Sequence, residues 1–278
     1  MSILVELLQA AEGRKVKVPV RGLDGSKIGE VELSKVFYAP LREDLVWRAF
    51  IHLQTHTLQP KGAFKGSGHK YSAESLGVGL GMARISRIKA SGTGKAQAGG
   101  MVPSAVGGRP THPPVPEKKI RKELNEKERK AALLVALAFT AKREYVEARG
   151  HRLPEDLELP VVVDDRVESI GRTRELREFL ESLGLGEELK RCREKKIRAG
   201  KGKRRGRRYK RRVGPLIVVL EDKGVFDAAD NLPGVDVIRL RDLSVLHLAP
   251  GAKPGRLVIW GRSAYEALER RLLGGAAG

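Results

Sequence analysis

Two pairs of adjacent carboxylates, Asp164-Asp165 and Glu221-Asp222, each follow a short apolar run of the kind that forms a buried strand. In an open parallel sheet, ligands bind beyond the carboxyl ends of the strands, and four converging carboxylates there suit Mg²⁺. The competing reading is that these side chains cap helices and turns, because no nucleophile or general base lies near them in sequence. His52 and His56 are spaced to share one helical face, but Leu53 stands where a zincin carries glutamate and no third ligand is apparent. Cys192 lies between Arg191 and Arg193, neighbours that lower a thiol pKa. Gly77-Val-Gly-Leu-Gly81 lacks the G-x-G-x-x-G spacing. Gly92-Thr-Gly-Lys95 has Lys89 where a Walker-A loop needs glycine, and Ala96 where it needs Ser or Thr. No catalytic residue, metal or cofactor is therefore expected.

Phosphate recognition is the chemistry that the charge distribution favours. Formal net charge is +20, and two segments carry the whole of it. Residues 57–114 hold Lys61, Lys65, Lys70, Arg84, Arg87, Lys89, Lys95 and Arg109 against Glu74 alone, with His69 and His112 beside them. Residues 190–213 hold fifteen Lys or Arg residues against Glu194. The densest part is Lys201, Lys203, Arg204, Arg205, Arg207, Arg208, Lys210, Arg211 and Arg212, with Tyr209 available to stack on a base. The rest of the chain sums to −1, an ordinary globular balance. If about half of the 23 bases each met a phosphate, binding would fall with salt at a log–log slope on the order of −8 to −10.

These charges need a scaffold. Residues 57–114 contain twelve glycines and end in Arg109-Pro-Thr-His-Pro-Pro114, with no sustained period, so a long irregular loop inserted between residues 1–56 and 115–278 is expected. It has too little apolar surface to offset its own ordering entropy and should be ordered by a polyanionic partner. At the density of residues 201–212, repulsion likewise forbids stable folding without counter-charge.

The remainder reads as an α/β, Rossmann-like domain with a mainly parallel sheet and helices on both faces. A hairpin is expected from residues 16–20 and 28–33 around Asp24-Gly25. A helix over 45–54 would turn Val46, Trp47, Phe50 and Ile51 inward. Asn125 with Glu128 forms a capping-box pattern opening a helix through Ala148. Buried strands are read at 160–163, 216–220, 235–238 and 257–260. A helix starts at Thr173 and closes at Gly184, and a basic helix runs to about Arg198. Ser263 with Glu266 would cap a last helix that stops at Gly274.

The longest apolar run, 131–139, is far short of the roughly 20 residues that span a bilayer. Residues 1–11 lack a basic lead-in and a cleavage pattern, so no secretory signal is expected. One cysteine excludes an internal disulfide, and a cytosolic protein is the simplest reading. Scarce Asn and Gln among abundant Lys, Arg and Glu suggest a heat-adapted source.

The stretches Gly79-Leu-Gly-Met-Ala-Arg-Ile-Ser-Arg-Ile-Lys89, Ser91-Gly-Thr-Gly-Lys95 and Ala105-Val-Gly-Gly-Arg-Pro-Thr-His-Pro-Pro114 resemble the universal large-subunit ribosomal protein L-four family, in its archaeal branch. The basic run 201–212 followed by Val213-Gly-Pro-Leu-Ile-Val-Val219 is similar to the same family. The resemblance implies a non-catalytic constituent of the cytoplasmic large ribosomal subunit, monomeric there. It implies a body on the subunit exterior and a loop threaded through rRNA to the constriction of the peptide exit tunnel. Its partners would be large-subunit rRNA, neighbouring ribosomal proteins and, transiently, the nascent peptide. Arg84, Arg87, Arg109 and His112 would brace the loop stems. Lys89, Ser91, Gly92, Thr93, Gly94, Lys95, Gln97 and Met101 would form the tip. A basic DNA-architectural protein is the main alternative class.

Overall fold

The computed structural model describes residues 16–92 and 94–273. Residues 1–11, Thr93 and the expected helix stop at Gly274 lie outside the described residues. The chain divides into two compact units, one of Met1–Gln54 with Glu123–Gly278 and one of Thr55–Lys122.

The first unit opens with strands β1 (Lys17–Arg21) and β2 (Lys27–Glu32), paired antiparallel about a turn in which Gly25 takes φ +76°. Helix α1 (Glu43–Gln54) buries Val46 and Ala49 completely, whereas Trp47 is 58% exposed. The inner face is thus centred on a small residue and not on the expected aromatic. Ala49 allows close approach of the next helix, and the bulk of Trp47 is turned outward.

Within the second unit, strands β3 (Ala73–Ser75) and β4 (Ser86–Ile88) form an antiparallel ribbon extended by a bridge between Arg87 and Gly99. Residues 57–114 are therefore not irregular throughout. Ile88 is the one buried large apolar side chain among this unit's described residues. Leu58, Phe64, Leu76, Val78, Leu80, Met82 and Val106 are exposed. Backbone hydrogen bonds, and not a core, define its shape.

Back in the first unit, the expected single helix to Ala148 is two, α2 (Glu126–Thr140) and α3 (Arg143–Ala148). The Thr140 hydroxyl donates to the Leu137 carbonyl at 2.7 Å and Lys142 is extended, which ends the first helix. Asn125 occupies the N-cap position without a side-chain cap bond, and Glu128 pairs with Arg48 at 3.1 Å instead of closing a box. Strand β5 (Val161–Val163) is buried throughout. Helices α4 (Thr173–Ser182) and α5 (Gly186–Arg193) follow.

The basic helix stops at Arg193, short of Arg198. The chain then forms a second antiparallel ribbon, β6 (Lys196–Ile197) with β7 (Tyr209–Lys210). Strand β8 (Leu216–Val219), helix α6 (Val225–Asp230), strand β9 (Asp236–Arg239), the single turn α7 (Val245–Leu248), strand β10 (Val258–Gly261) and helix α8 (Arg262–Leu273) complete the unit.

The strand order is β2-β1-β5-β10-β8-β9, and every pairing but β1–β2 is parallel. Side chains alternate across this sheet because successive Cβ atoms point to opposite faces. Val162, Leu216, Val218, Val258 and Trp260 enter one apolar layer with residues of α1, α2, α7 and α8. Val161, Val163, Ile217, Val219 and Ile259 enter another with residues of α4 and α6. Layers on both faces explain why the strands read as unbroken apolar runs. The architecture is a mixed α/β fold around a mostly parallel sheet.

Candidate nucleic-acid interface

Most of the groups that suggested enzymatic chemistry are engaged in holding the fold, and Glu221 is exposed. The Asp165 carboxylate accepts the Ser263 backbone N–H at 2.8 Å and the Ser263 hydroxyl at 2.5 Å, so it caps α8 from another element. The expected Ser263–Glu266 box is absent, and Glu266 pairs with Arg262 at 3.0 Å. Asp164 accepts the Asp165 backbone N–H at 2.9 Å, and Asp222 accepts that of Gly224 at 3.0 Å. Among the described residues, no group of three or more His, Cys, Asp and Glu is placed to hold a metal ion. His52 Nδ1 meets the Glu123 carbonyl at 3.0 Å. His56 lies in the separate turn Thr55–Thr57 with Nε2 at 2.9 Å from the Lys122 carbonyl. Cys192 is buried, and burial pushes its thiol up to about 11, the reverse of the activation that its arginine neighbours suggested.

In the second unit Lys61, Lys65, His69, Lys70, Arg84, Lys89, Lys95 and His112 are exposed, and Arg87 and Arg109 are half-buried. Arg87 serves the structure directly. Its guanidinium donates to the Gln97 carbonyl at 2.8 Å and the Ala83 carbonyl at 3.3 Å, and so closes the ribbon. Lys89 pairs with Glu74, the segment's lone acid, whose carboxyl is held below its ordinary range by that contact. Lys95 donates to the Tyr71 hydroxyl at 2.7 Å and lowers the phenol's pKa. Lys70 lies over the Phe64 ring at 5.8 Å.

Of the expected tip residues, Ser91, Gly92, Gly94, Lys95 and Gln97 are exposed and Met101 is half-buried. Gln97 and Met101 adopt φ of +59° and +57°, a conformation uncommon outside glycine. At the loop stems, Gly68 takes φ +78° with the Arg109 backbone so near that a Cβ would stand 2.3 Å from its nitrogen. No larger residue fits there.

In the first unit, the cationic run is displayed by the β6–β7 ribbon. Lys201, Lys203, Arg204, Arg205, Arg207, Arg208, Tyr209, Lys210 and Arg211 are all exposed. Arg212 is half-buried and pairs with Glu194 at 3.4 Å. The hairpin forms despite its charge because the side chains fan into solvent. Arg198 also ties the two arms together, donating to the Arg207 carbonyl at 3.0 Å and the Tyr209 carbonyl at 3.4 Å. Arg208 and Lys195 lie near the Tyr209 ring, at 5.6 and 6.0 Å, so its stacking face is already flanked by cations.

The base of this hairpin is fixed by buried charges that no local pattern flagged. Glu188, fully buried, accepts Arg191 Nε at 2.7 Å, the Arg152 backbone N–H at 3.0 Å and His151 Nδ1 at 2.6 Å. Arg191 also donates to the Val213 carbonyl at 2.8 Å, where the basic run ends. Burial favours raising the Glu188 pKa, yet the hydrogen bonds from His151 and Arg191 hold it down to about 2.

The pattern that defines the Ribosomal protein L4/L1 family matches residues 31–271. The chain belongs to this family. Curated relatives called large ribosomal subunit protein uL4 agree along nearly the whole sequence. The one from Methanopyrus kandleri is 46% identical over 258 residues, covering 92% of this chain and 99% of its own. The Saccharolobus solfataricus protein is 45% identical over 260 residues, covering 93% and 96%. That of Saccharolobus islandicus M.14.25 is 45% identical over 251 residues, covering 90% and 92%. Family membership thus agrees with the resemblance read from the loop motifs, and the relatives are archaeal.

Proposed function

We propose that this protein is a structural constituent of the large ribosomal subunit that binds large-subunit rRNA through residues 57–114 and 190–213. The observation that carries the rRNA reading is the second unit's composition. It displays cations and large apolar side chains together, and Ile88 is the one large apolar side chain that it buries among its described residues. A segment that exposes both is completed by a partner offering phosphates and stacked base surfaces. Glycine-rich backbone permits close approach, and lysines and arginines neutralise phosphates along the path.

On this reading the first unit is a Rossmann-like anchor, and the inserted segment threads into rRNA. The tip around Lys89, Ser91, Gly92, Thr93, Gly94, Lys95, Gln97 and Met101 lines the peptide exit tunnel, where it meets nascent peptide. Arg84, Arg87, Arg109 and His112 brace the stems. Neighbouring large-subunit proteins are the remaining partners, and the protein acts as a monomer in the cytoplasmic ribosome without catalysis.

The test is deletion of residues 62–108 in the full chain, followed by sedimentation of subunits. The remaining protein is expected to fold and large-subunit yield to fall. Normal yield of tightly associated, salt-resistant subunits would overturn the reading. Equal affinity for duplex DNA and structured rRNA at matched salt would favour a DNA-architectural role instead.

A further inference from the structure

At the base of the β6–β7 hairpin lies a cavity of about 480 Å³ lined by Arg149, Arg191, Lys196, Lys210, Arg211, Arg212 and Lys253 with Glu194 as its one acid. Two of its walls are built by fixed guanidinium groups. Arg149 donates to the carbonyls of Pro250 at 2.8 Å and of Lys253, and Arg191 to that of Val213 at 2.8 Å. Glu194 is already matched by Arg212 at 3.4 Å. Lys196, Lys210, Arg211 and Lys253 have no acidic partner among the described residues.

A second observation comes from the strand register. Lys196 and Lys210 are directly opposed in the antiparallel register of the hairpin. Like charges in that position destabilise a strand pair. Burial, together with the charges of Arg256 and Arg191, lowers the Arg149 pKa to about 10. Repulsion is thus built into the site and is relieved when an anion enters. A phosphate group, with several acceptor oxygens and charge to spread among convergent donors, matches this lining.

We infer that this cavity is a preformed phosphate-binding site, and that in the assembled particle it holds one backbone phosphate of RNA at the root of the hairpin. The second half of the inference rests on the rRNA reading above. Lys196, Lys210, Arg211 and Lys253 are the ligating groups, and Arg149 and Arg191 position the walls. The hairpin arms beyond it make diffuse contacts, whereas this site sets a fixed register between protein and RNA. Contacts to phosphate position a protein without reading sequence.

The experiment compares the full chain with Lys210→Gln/Lys253→Gln and with Lys17→Gln/Lys127→Gln, which removes equal charge from exposed positions outside the cavity and outside both basic segments. Inorganic pyrophosphate is titrated into each by calorimetry, with thermal melting alongside. The wild type and the Lys17/Lys127 variant are expected to bind alike and to melt higher with pyrophosphate. The Lys210/Lys253 variant is expected to bind about tenfold more weakly or worse, as for loss of roughly 1.4 kcal/mol or more. Equal binding by all three overturns the site.

A second arm measures affinity for large-subunit rRNA against salt. The Lys210/Lys253 slope is expected to be shallower by about 2, near one per lost contact. If pyrophosphate binding is localised but this slope matches the wild type, the cavity takes free phosphate and its RNA role is overturned. If the wild type itself fails to bind rRNA, the rRNA reading falls, while the pyrophosphate titration still decides the site.

Discussion

Arg191 and Glu188, one helical turn apart on α5, are joined through Nε at 2.7 Å and Nη2 at 2.5 Å, both side chains buried. The pair connects the core to the basic hairpin, because Arg191 also holds the Val213 carbonyl. Removing one partner leaves an uncompensated buried charge. Glu188→Ala or Arg191→Ala should therefore destabilise the chain by about 3–5 kcal/mol. The double substitution should cost clearly less than the sum of the two, because no orphan charge remains. Urea denaturation of the three variants measures the coupling. Additive losses would show that the pair is not a unit.

The neighbouring His151 makes the stability depend on pH in a stated direction. Its Nε2 accepts the Leu257 backbone N–H at 3.3 Å while Nδ1 faces Glu188, so the buried ring is the neutral, Nδ1-protonated form. Burial lowers its pKa from 6.5, and burial lowers that of His247 too. The unfolded chain then binds more protons than the folded chain below pH 6.5, and stability rises with pH through that window. Glu188 adds a second loss as pH falls from 4.5 toward about 2, since its folded pKa is depressed. Stability should be flat from about pH 7 to 8, decline below about 6.5, and fall again above about 9, where the unfolded Cys192 thiol ionises and the buried one, held up to about 11, does not. His151→Gln, which can keep both hydrogen bonds, should flatten the first decline in part, leaving the share of His247. A stability that grows on acidification from pH 7 to 5 would contradict the assignment.

The sheet was legible because Val161–Val163, Leu216–Val219 and Val258–Gly261 are short apolar runs bounded by polar turns, a local pattern. What escaped was decided by distant partners. Trp47 reads as core from its helical phase, but packing selects Ala49. Asn125–Glu128 and Ser263–Glu266 match a capping pattern, but Arg48 and Asp165 take up Glu128 and the N-terminus of α8. His151 and Glu188 are 37 positions apart, so no window joins them. Among the candidate interface residues, charge was legible and order was not. The density of residues 201–212 hid a hairpin whose backbone bonds do not depend on what the side chains repel. Lys253 and Arg149 gave no signal at all, since their shared cavity is assembled from segments 104 positions apart.

Gly68→Ala tests whether the loop stems must stay closed. The substitution forces φ +78° on a residue with a Cβ and drives that atom to 2.3 Å from the Arg109 nitrogen. Backbone conformation alone costs on the order of 1–2 kcal/mol, and the contact adds to it. The stems should part and expose the Ala63 amide, which now donates to the Pro114 carbonyl at 3.0 Å. Hydrogen exchange at Ala63 should accelerate, with weaker binding to rRNA and unchanged exchange in β5, β8 and β10. Unaltered protection at Ala63 would show that the stems are held by something else.

Asp165→Asn separates a capping role from the metal chemistry its position first suggested. The carboxylate accepts both the Ser263 amide and hydroxyl, two bonds at the start of α8. Asparagine keeps one acceptor oxygen, so the cost should be about 0.5–1 kcal/mol, and Asp165→Ala should reach about 1–2. The triple change Asp164→Asn, Asp165→Asn and Asp222→Asn should leave affinity for rRNA within about twofold. Added Mg²⁺ should not raise the melting temperature of the wild-type chain beyond that of the triple variant, because each of these carboxylates already holds a backbone amide at 2.8–3.0 Å. A Mg²⁺-dependent stabilisation abolished by the triple variant would restore the metal site and displace the capping account.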